Sequence, residues 1–263
     1  MLLVGCSTNG AAPPRPIPPE ATAPDAVNLP LDQYRLSTWD TGRIILAREI
    51  LIHRCIEDRG GSKPSPDAAA IEQDARVRIK DIGPRGNKRR YGITDPRDAA
   101  VYGYHLPSTV DRTERPVPAK ERSTSSQCVQ QADKTLGEAN LTTPAEVKEI
   151  STDSYERSLS DPRVAQARTQ WSACMKAAGH DYDSSAAAAG AFDLSAATVT
   201  AAEIATASAD VECKSRSGLV GTWQEVESAI QQSVLDSRRQ AFQDIAEQRE
   251  RFNGRADRTI NGH

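Results

Sequence analysis

The chain has 263 residues and a formal net charge of −3, with 33 basic against 36 acidic side chains. Its length rules out a peptide and suits one large or two small domains. Leu, Ile, Val and Phe fill only 46 positions, Ala fills 37, and aromatic residues make up 5%. So few large apolar side chains predict a modest core with long polar extensions, while the near-balanced charge opposes wholesale disorder. Alanine loses no side-chain entropy in a helix and packs poorly on a pleated surface. Composition therefore disfavours a β-sandwich or parallel-sheet enzyme and predicts an all-α bundle of several short helices. No stretch approaches the roughly 20 apolar residues of a membrane span.

In chain order, the first element is Met1-Leu2-Leu3-Val4-Gly5-Cys6-Ser7. Leu-Val-Gly-Cys resembles the lipobox of bacterial lipoproteins, which makes Cys6 the expected lipidation site and mature N-terminus. Only five residues precede it, against a basic n-region and an apolar h-region of about 7–15 residues in a full export signal. Residues 1–6 therefore read as a shortened signal, with the true start expected upstream. Residues 7–30 hold seven of the 16 prolines (Pro13, Pro14, Pro16, Pro18, Pro19, Pro24, Pro30), the composition of a disordered, extended tether.

Setting Cys6 aside leaves Cys55, Cys128, Cys174 and Cys213. An even number in a chain with an export signature reads as two disulfides, and four cysteines allow three pairings. Order along the chain favours Cys55–Cys128 and Cys174–Cys213. Each bridge would contribute roughly 4 kcal/mol in the chain-entropy model. With no CxxC and no His at ligand spacing from a Cys, no metal and no cofactor is expected.

Helix signals begin near Ser37 or Thr38 and run through Ile44, Ile45, Leu51, Cys55 and Ile56 to Gly60-Gly61. Residues 62–93 are polar and broken by Pro and Gly, which predicts loop with at most a short helix at 67–80. Asp95-Pro96 caps a short helix to Tyr102, ending at Gly103. Prolines 107, 116 and 118 mark a linker over 106–123 that divides the chain roughly in half. An N-terminal helix with a basic and aromatic loop region (31–123) thus precedes a more regular helical region (124–254).

In that second region, Ser126 caps a helix ending at Gly137, and Thr143-Pro144-Ala145-Glu146 is a capping box. Asp161-Pro162 opens a helix carrying Val164, Trp171, Cys174 and Met175 to Gly179. An Ala-rich connection at 186–191 leads to a second box, Thr200-Ala201-Ala202-Glu203, and a helix through Cys213. Thr222-Trp223-Gln224-Glu225 starts a long C-terminal helix, or two nearly continuous ones, to Asn253-Gly254, with 255–263 expected as a frayed tail. Arg54 to Gly60 and Ala173 to Gly179 echo each other as helix ends with Cys five residues before Gly.

Lys88 to Asp95 (KRRYGITD), Val101 to Pro107 (VYGYHLP), Trp171 to Met175 (WSACM) with Gly179 and Tyr182, and Ile204 to Ala207 leading to Ala209 to Lys214 (ADVECK) resemble a family of secreted lipoproteins of actinomycetes, the high-GC Gram-positive bacteria. The resemblance covers roughly residues 30–250. That family is functionally uncharacterised, so the resemblance implies export, lipidation and helicity and assigns no catalytic residue.

Between Arg76 and Arg97, eight basic side chains face Asp81 and Asp95, a net +6, with Arg85, Lys88, Arg89 and Arg90 the densest run. Outside a membrane such a patch would meet anionic lipid headgroups or phosphate polymers rather than nucleic acid. A solvated loop is the plainer reading. Tyr102, Tyr104 and His105 suit stacking on a sugar or peptide, or packing of a loop onto the body, while Trp171 and Trp223 read as core. His53, His105, His180 and His263 sit in no Ser/His/Asp context, and GxSxG, HExxH and Walker motifs are absent from the sequence. Asp181 and Asp183 read as a helix-capping turn.

These readings converge on a monomeric, non-enzymatic, disulfide-stapled lipoprotein on the outer face of the cytoplasmic membrane, binding an envelope protein or an anionic polymer. The alternatives are an envelope hydrolase using His105, Tyr104, Asp181 or Asp183, and a structural spacer built on self-association of helix 222–253. In the latter, apolar spacing without a strict heptad favours packing within one chain.

Overall fold

The computed structural model describes residues 17–22, 27–111, 126–137 and 143–262. Cys6, His263 and most of the 7–30 tether and 106–123 linker lie outside them. Helices dominate: α1 (Pro19–Thr22), a 310 turn (Pro30–Tyr34), α2 (Thr38–Asp58), α3 (Ala68–Ile82), α4 (Pro96–Tyr102), α5 (Pro107–Val110), α6 (Ser126–Leu136), α7 (Ala145–Leu159), α8 (Pro162–Ala177), α9 (Ser185–Gly190), α10 (Ala201–Ser217), α11 (Leu219–Ser237) and α12 (Arg239–Asn261). Among the described residues there is no strand, and one isolated bridge joins Arg90 to Gly92.

Local caps set most helix starts where the sequence predicts them. Ser37 Oγ accepts from the Asp40 N–H at 2.9 Å while the Asp40 carboxylate accepts from the Ser37 N–H at 3.4 Å, a reciprocal capping box. Asp95 and Asp161 cap helices whose first residue is proline. Thr200 caps α10, but its box partner Glu203 turns its carboxylate into the core instead.

Four expectations need correction. Residues 68–82 form a full fifteen-residue helix, capped by Asp67, because Ile71, Ala75 and Ile79 keep helical spacing beneath the charges. The Ala-rich connection contains α9, with Ala188 fully buried. The C-terminal element is, as one of the two expectations had it, a pair of nearly continuous helices joined at Arg238, but it starts at Leu219 rather than Thr222. Gly218 permits this: at φ 64° and ψ 17°, in the left-handed region, it is the single residue between the end of α10 and the start of α11. Finally, residues 255–261 are not frayed. Ala256 and Thr259 are buried, Arg255 donates to the Leu136 carbonyl at 2.6 Å, and Arg43 pairs with Asp257.

Two helical groups result, and they do not follow the division at 106–123. In the first, α12 returns from the end of the chain to pack on α2 and α6 through Ile44, Ala47, Leu136, Phe252 and Ala256. Trp39 meets Ala21, Ala75 and Ile79 beside α3, and Cys55–Cys128 joins α2 to α6. In the second, α4, α8, α10 and α11 surround Trp171, Met175, Ala207 and Trp223, and Cys174–Cys213 joins α8 to α10. Leu31, Val147, Ile150, Leu235 and Phe242 link the groups. The tether ends earlier than expected, since Val27 and Leu29 belong to the main core.

Candidate functional site

The basic run of 85–90 largely turns inward. Arg90 donates to Ser151 O at 2.7 Å, pairs with the fully buried Glu227 and lies 5.0 Å over the Tyr155 ring. Glu227 also accepts from Tyr91 Oη (2.8 Å), Ser154 Oγ (3.1 Å) and Gln231 Nε2 (3.0 Å). Arg89 donates to the carbonyls of Tyr104 and His105, and its burial lowers its pKa against the opposing pull of Asp98 and Asp81. Lys88 lies 2.6 Å from Asp98 and also donates to Lys80 O, while Arg85 is exposed. Lys88, Arg89 and Arg90 are thus committed internally, to Asp98 ten residues on, to backbone carbonyls of the 104–105 turn and to the distant Glu227.

The aromatic cluster is similarly consumed. Tyr104 and His105 are buried, so they offer no ligand surface. Glu203 accepts from the Tyr104 N–H at 2.8 Å and contacts His105 Nδ1 at 2.8 Å. Tyr102 is half-buried and ties its hydroxyl to Asp111 and Lys80. Trp171 and Trp223 occupy the core, their indole N–H groups donating to Asp210 and Ser158 at 2.8 Å each. Asp210 also accepts from Ser185 and from Lys214, whose ammonium reaches Ile93 O. Asp181 and Asp183 are exposed, and Asp181 pairs loosely with Lys176 at 3.7 Å. Among the described residues, no group of three His, Cys, Asp or Glu is placed to hold a metal ion.

These buried hydroxyls make alkaline stability predictable. Burial first, with Glu227 adding to it for Tyr91, raises the pKa of Tyr91, Tyr104 and Tyr155 above the ordinary 10.0. The unfolded chain ionises near that value and the folded chain does not, so stability that is intact below pH 10 falls as pH rises beyond it. Lys214 acts oppositely: burial lowers its pKa, so its contribution grows as pH climbs towards the ordinary 10.5. Three tyrosines outweigh one lysine above pH 10. Of the six tyrosines, these three should ionise only together with cooperative loss of helical circular dichroism, and full tyrosinate absorbance in protein that keeps its helical signal would contradict the assignment.

One open feature is a cleft of about 420 Å³ between α2, α3, residues 65–66 and the last turn of α12. Its volume lies within the ~300–1,000 Å³ of small-molecule sites. Trp39, Leu46, Ile50 and Ile260 supply apolar lining, and Arg43, His53, Arg54, Ser65 and Glu72 supply polar groups. Helix α3 crosses α2 at Gly42, where a β-carbon would stand 2.9 Å from that of Ala75, and this contact closes one end. Arg43 donates Nε to Asp257 at 3.1 Å and clamps α12 to α2.

Within the cleft, His53 Nε2 lies 3.4 Å from Ser65 Oγ and 3.3 Å from Glu57 Oε2. A catalytic relay needs hydroxyl and carboxylate on opposite ring nitrogens. Here both face the same one, and Nδ1 is buried without a partner. The sequence reading followed the stripe Ile44, Leu51, Cys55 and missed this second face. Its signal was present: Trp39, Arg43, Leu46, Ile50 and Arg54 recur at three- and four-residue spacing on the other side of α2. No protein-family model, curated protein or solved structure matches the chain.

Proposed function

We propose that the protein is a non-enzymatic binding module that works outside the cytoplasm, held at the membrane by lipid on Cys6, with the α2–α3–α12 cleft as its ligand site. The observation that carries this reading is the contrast in how side chains are used. The buried ionisable groups around Glu227, Glu203 and Asp210 are spent on joining helices, whereas the cleft keeps an apolar lining, the exposed Arg54 and the unpartnered Trp39 Nε1 and His53 Nδ1. Burial of Tyr104 and His105, with Asp181 and Asp183 exposed apart from them, argues against the hydrolase alternative, and burial of Phe242 and Phe252 on α12 argues for a monomer over a self-associating spacer.

Export is supported by the Leu-Val-Gly-Cys segment, by the resemblance to secreted actinomycete lipoproteins and by two disulfides, which persist in oxidising compartments. No helix among the described residues is long and apolar enough to cross a membrane. Intact mass of protein made with its native upstream region in an actinomycete host tests the reading. The expected product begins at a diacylated Cys6 and gains about four mass units on reduction, two hydrogens for each bridge. An unlipidated chain with free thiols would overturn it.

A further inference from the structure

We propose that the cleft takes a long-chain acyl carboxylate, with the chain along Leu46, Ile50 and Ile260 and the head at Arg54. This deepens the binding-module reading and rests on it. The lining on α2 from Trp39 to Arg54 spans about 22 Å at the helical rise per residue, so the site suits an elongated guest. Its charge is unevenly distributed. Arg43 is committed to Asp257, and Glu72 on α3 adds a carboxylate one turn before Ala75, which packs against Gly42, so this end offers no spare cation. At the other end Arg54 is exposed with no ion pair among the described residues, and the His53 ring and Ser65 hydroxyl stand beside it in the lining. Glu57 is turned to His53 at 3.3 Å, which leaves the Arg54 guanidinium as the exposed cation at the end of the apolar strip, complementary to a single chain ending in one anion.

Hydrogen-bonding capacity gives an independent indication. Trp39 is 4% exposed, yet its Nε1 has no partner, and the buried Nδ1 of His53 has none either. Both residues line this cleft, so it carries polar capacity that the chain itself leaves unused. An extended peptide fits poorly, since the backbone groups of α2, α3 and α12 are spent within their helices and offer no edge for strand addition.

The test is calorimetric titration of the full-length, oxidised protein with oleate and with hexadecanol, together with Arg54→Gln and Ile50→Trp variants. Oleate should bind saturably, about ten-fold more weakly in Arg54→Gln, and hexadecanol should be weaker than oleate by a similar factor. Ile50→Trp should abolish binding while leaving the far-ultraviolet circular dichroism unchanged. Equal affinity for the acid and the alcohol, or an unaffected Arg54→Gln variant, would overturn the anionic head. An apolar dye that Ile50→Trp excludes but oleate does not displace would refute the acyl ligand and keep the binding site. Failure of dye and oleate alike to bind would refute both.

Discussion

Replacing Glu227 by alanine is expected to lower the unfolding free energy by about 3–5 kcal/mol, the range for breaking a buried, hydrogen-bonded ion pair. Glu227 has no exposed surface and accepts from Arg90, Tyr91, Ser154 and Gln231. Its loss strands a guanidinium, a phenol and an amide whose other bonds cannot compensate. Gln231 also accepts from the Leu31 N–H at 3.1 Å, so the damage reaches the 310 turn that links the two helical groups. Volume alone does not explain an effect of this size, and Glu227→Gln separates the two causes. It preserves shape, leaves Arg90 without a counter-charge and should fall between wild type and alanine. The Arg90→Met, Glu227→Met double variant should recover much of the loss, because an apolar pair often replaces a buried ion pair at little cost. Urea denaturation measures all three. A loss under about 1 kcal/mol for alanine would show that the network is solvated rather than structural.

Helix starts at Ser37, Asp95, Asp161 and Thr200 were legible because capping is a local bond between residues two or three apart. The start at Leu219 was not, since a left-handed Gly218 does the work that the Thr222 box advertises. The tail was misread for another reason. Gly254 looks like a stop, but bonds from Arg255 to Leu136 and from Arg43 to Asp257 hold the helix beyond it, across 119 and 214 residues of sequence. The same non-locality decides the fate of the basic run. Nothing near Arg90 announces Glu227, 137 positions away, and nothing near His105 announces Glu203, 98 away. A charge pattern reports how many cations there are, whereas only the fold determines which carboxylates meet them. The cleft was readable in principle from the second apolar face of α2, but a helix with two such faces was assigned a single one.

Removing Cys174–Cys213, as the Cys174→Ala, Cys213→Ala variant, is expected to cost roughly 4 kcal/mol of global stability in the chain-entropy model. The sequence separations of the two bridges, 39 and 73 residues, differ by less than a factor of two. Loop length therefore separates them by only about 0.6 kcal/mol, and packing determines how each loss is expressed. Cys174–Cys213 joins α8 to α10 inside the main core, beside the fully buried Trp171 and its bond to Asp210. Its loss should shift one cooperative transition to lower denaturant. Cys55–Cys128 instead holds α6 on α2, where the other ties include the small cluster of Ile52 and Ala132, the Arg48–Asp133 pair and the Arg59–Gln127 bond at 2.6 Å each, and the contacts of Leu136 with α12. Without that bridge α6 should open first, visible as faster amide exchange over 126–136 before global unfolding. Equal protection of α6 in both variants would overturn this distinction. Losing both bridges costs roughly 8 kcal/mol in the same model. That is comparable to the whole stability of about 5–15 kcal/mol typical of a domain, so a chain kept reduced in a cytosol would lose most of what holds it folded.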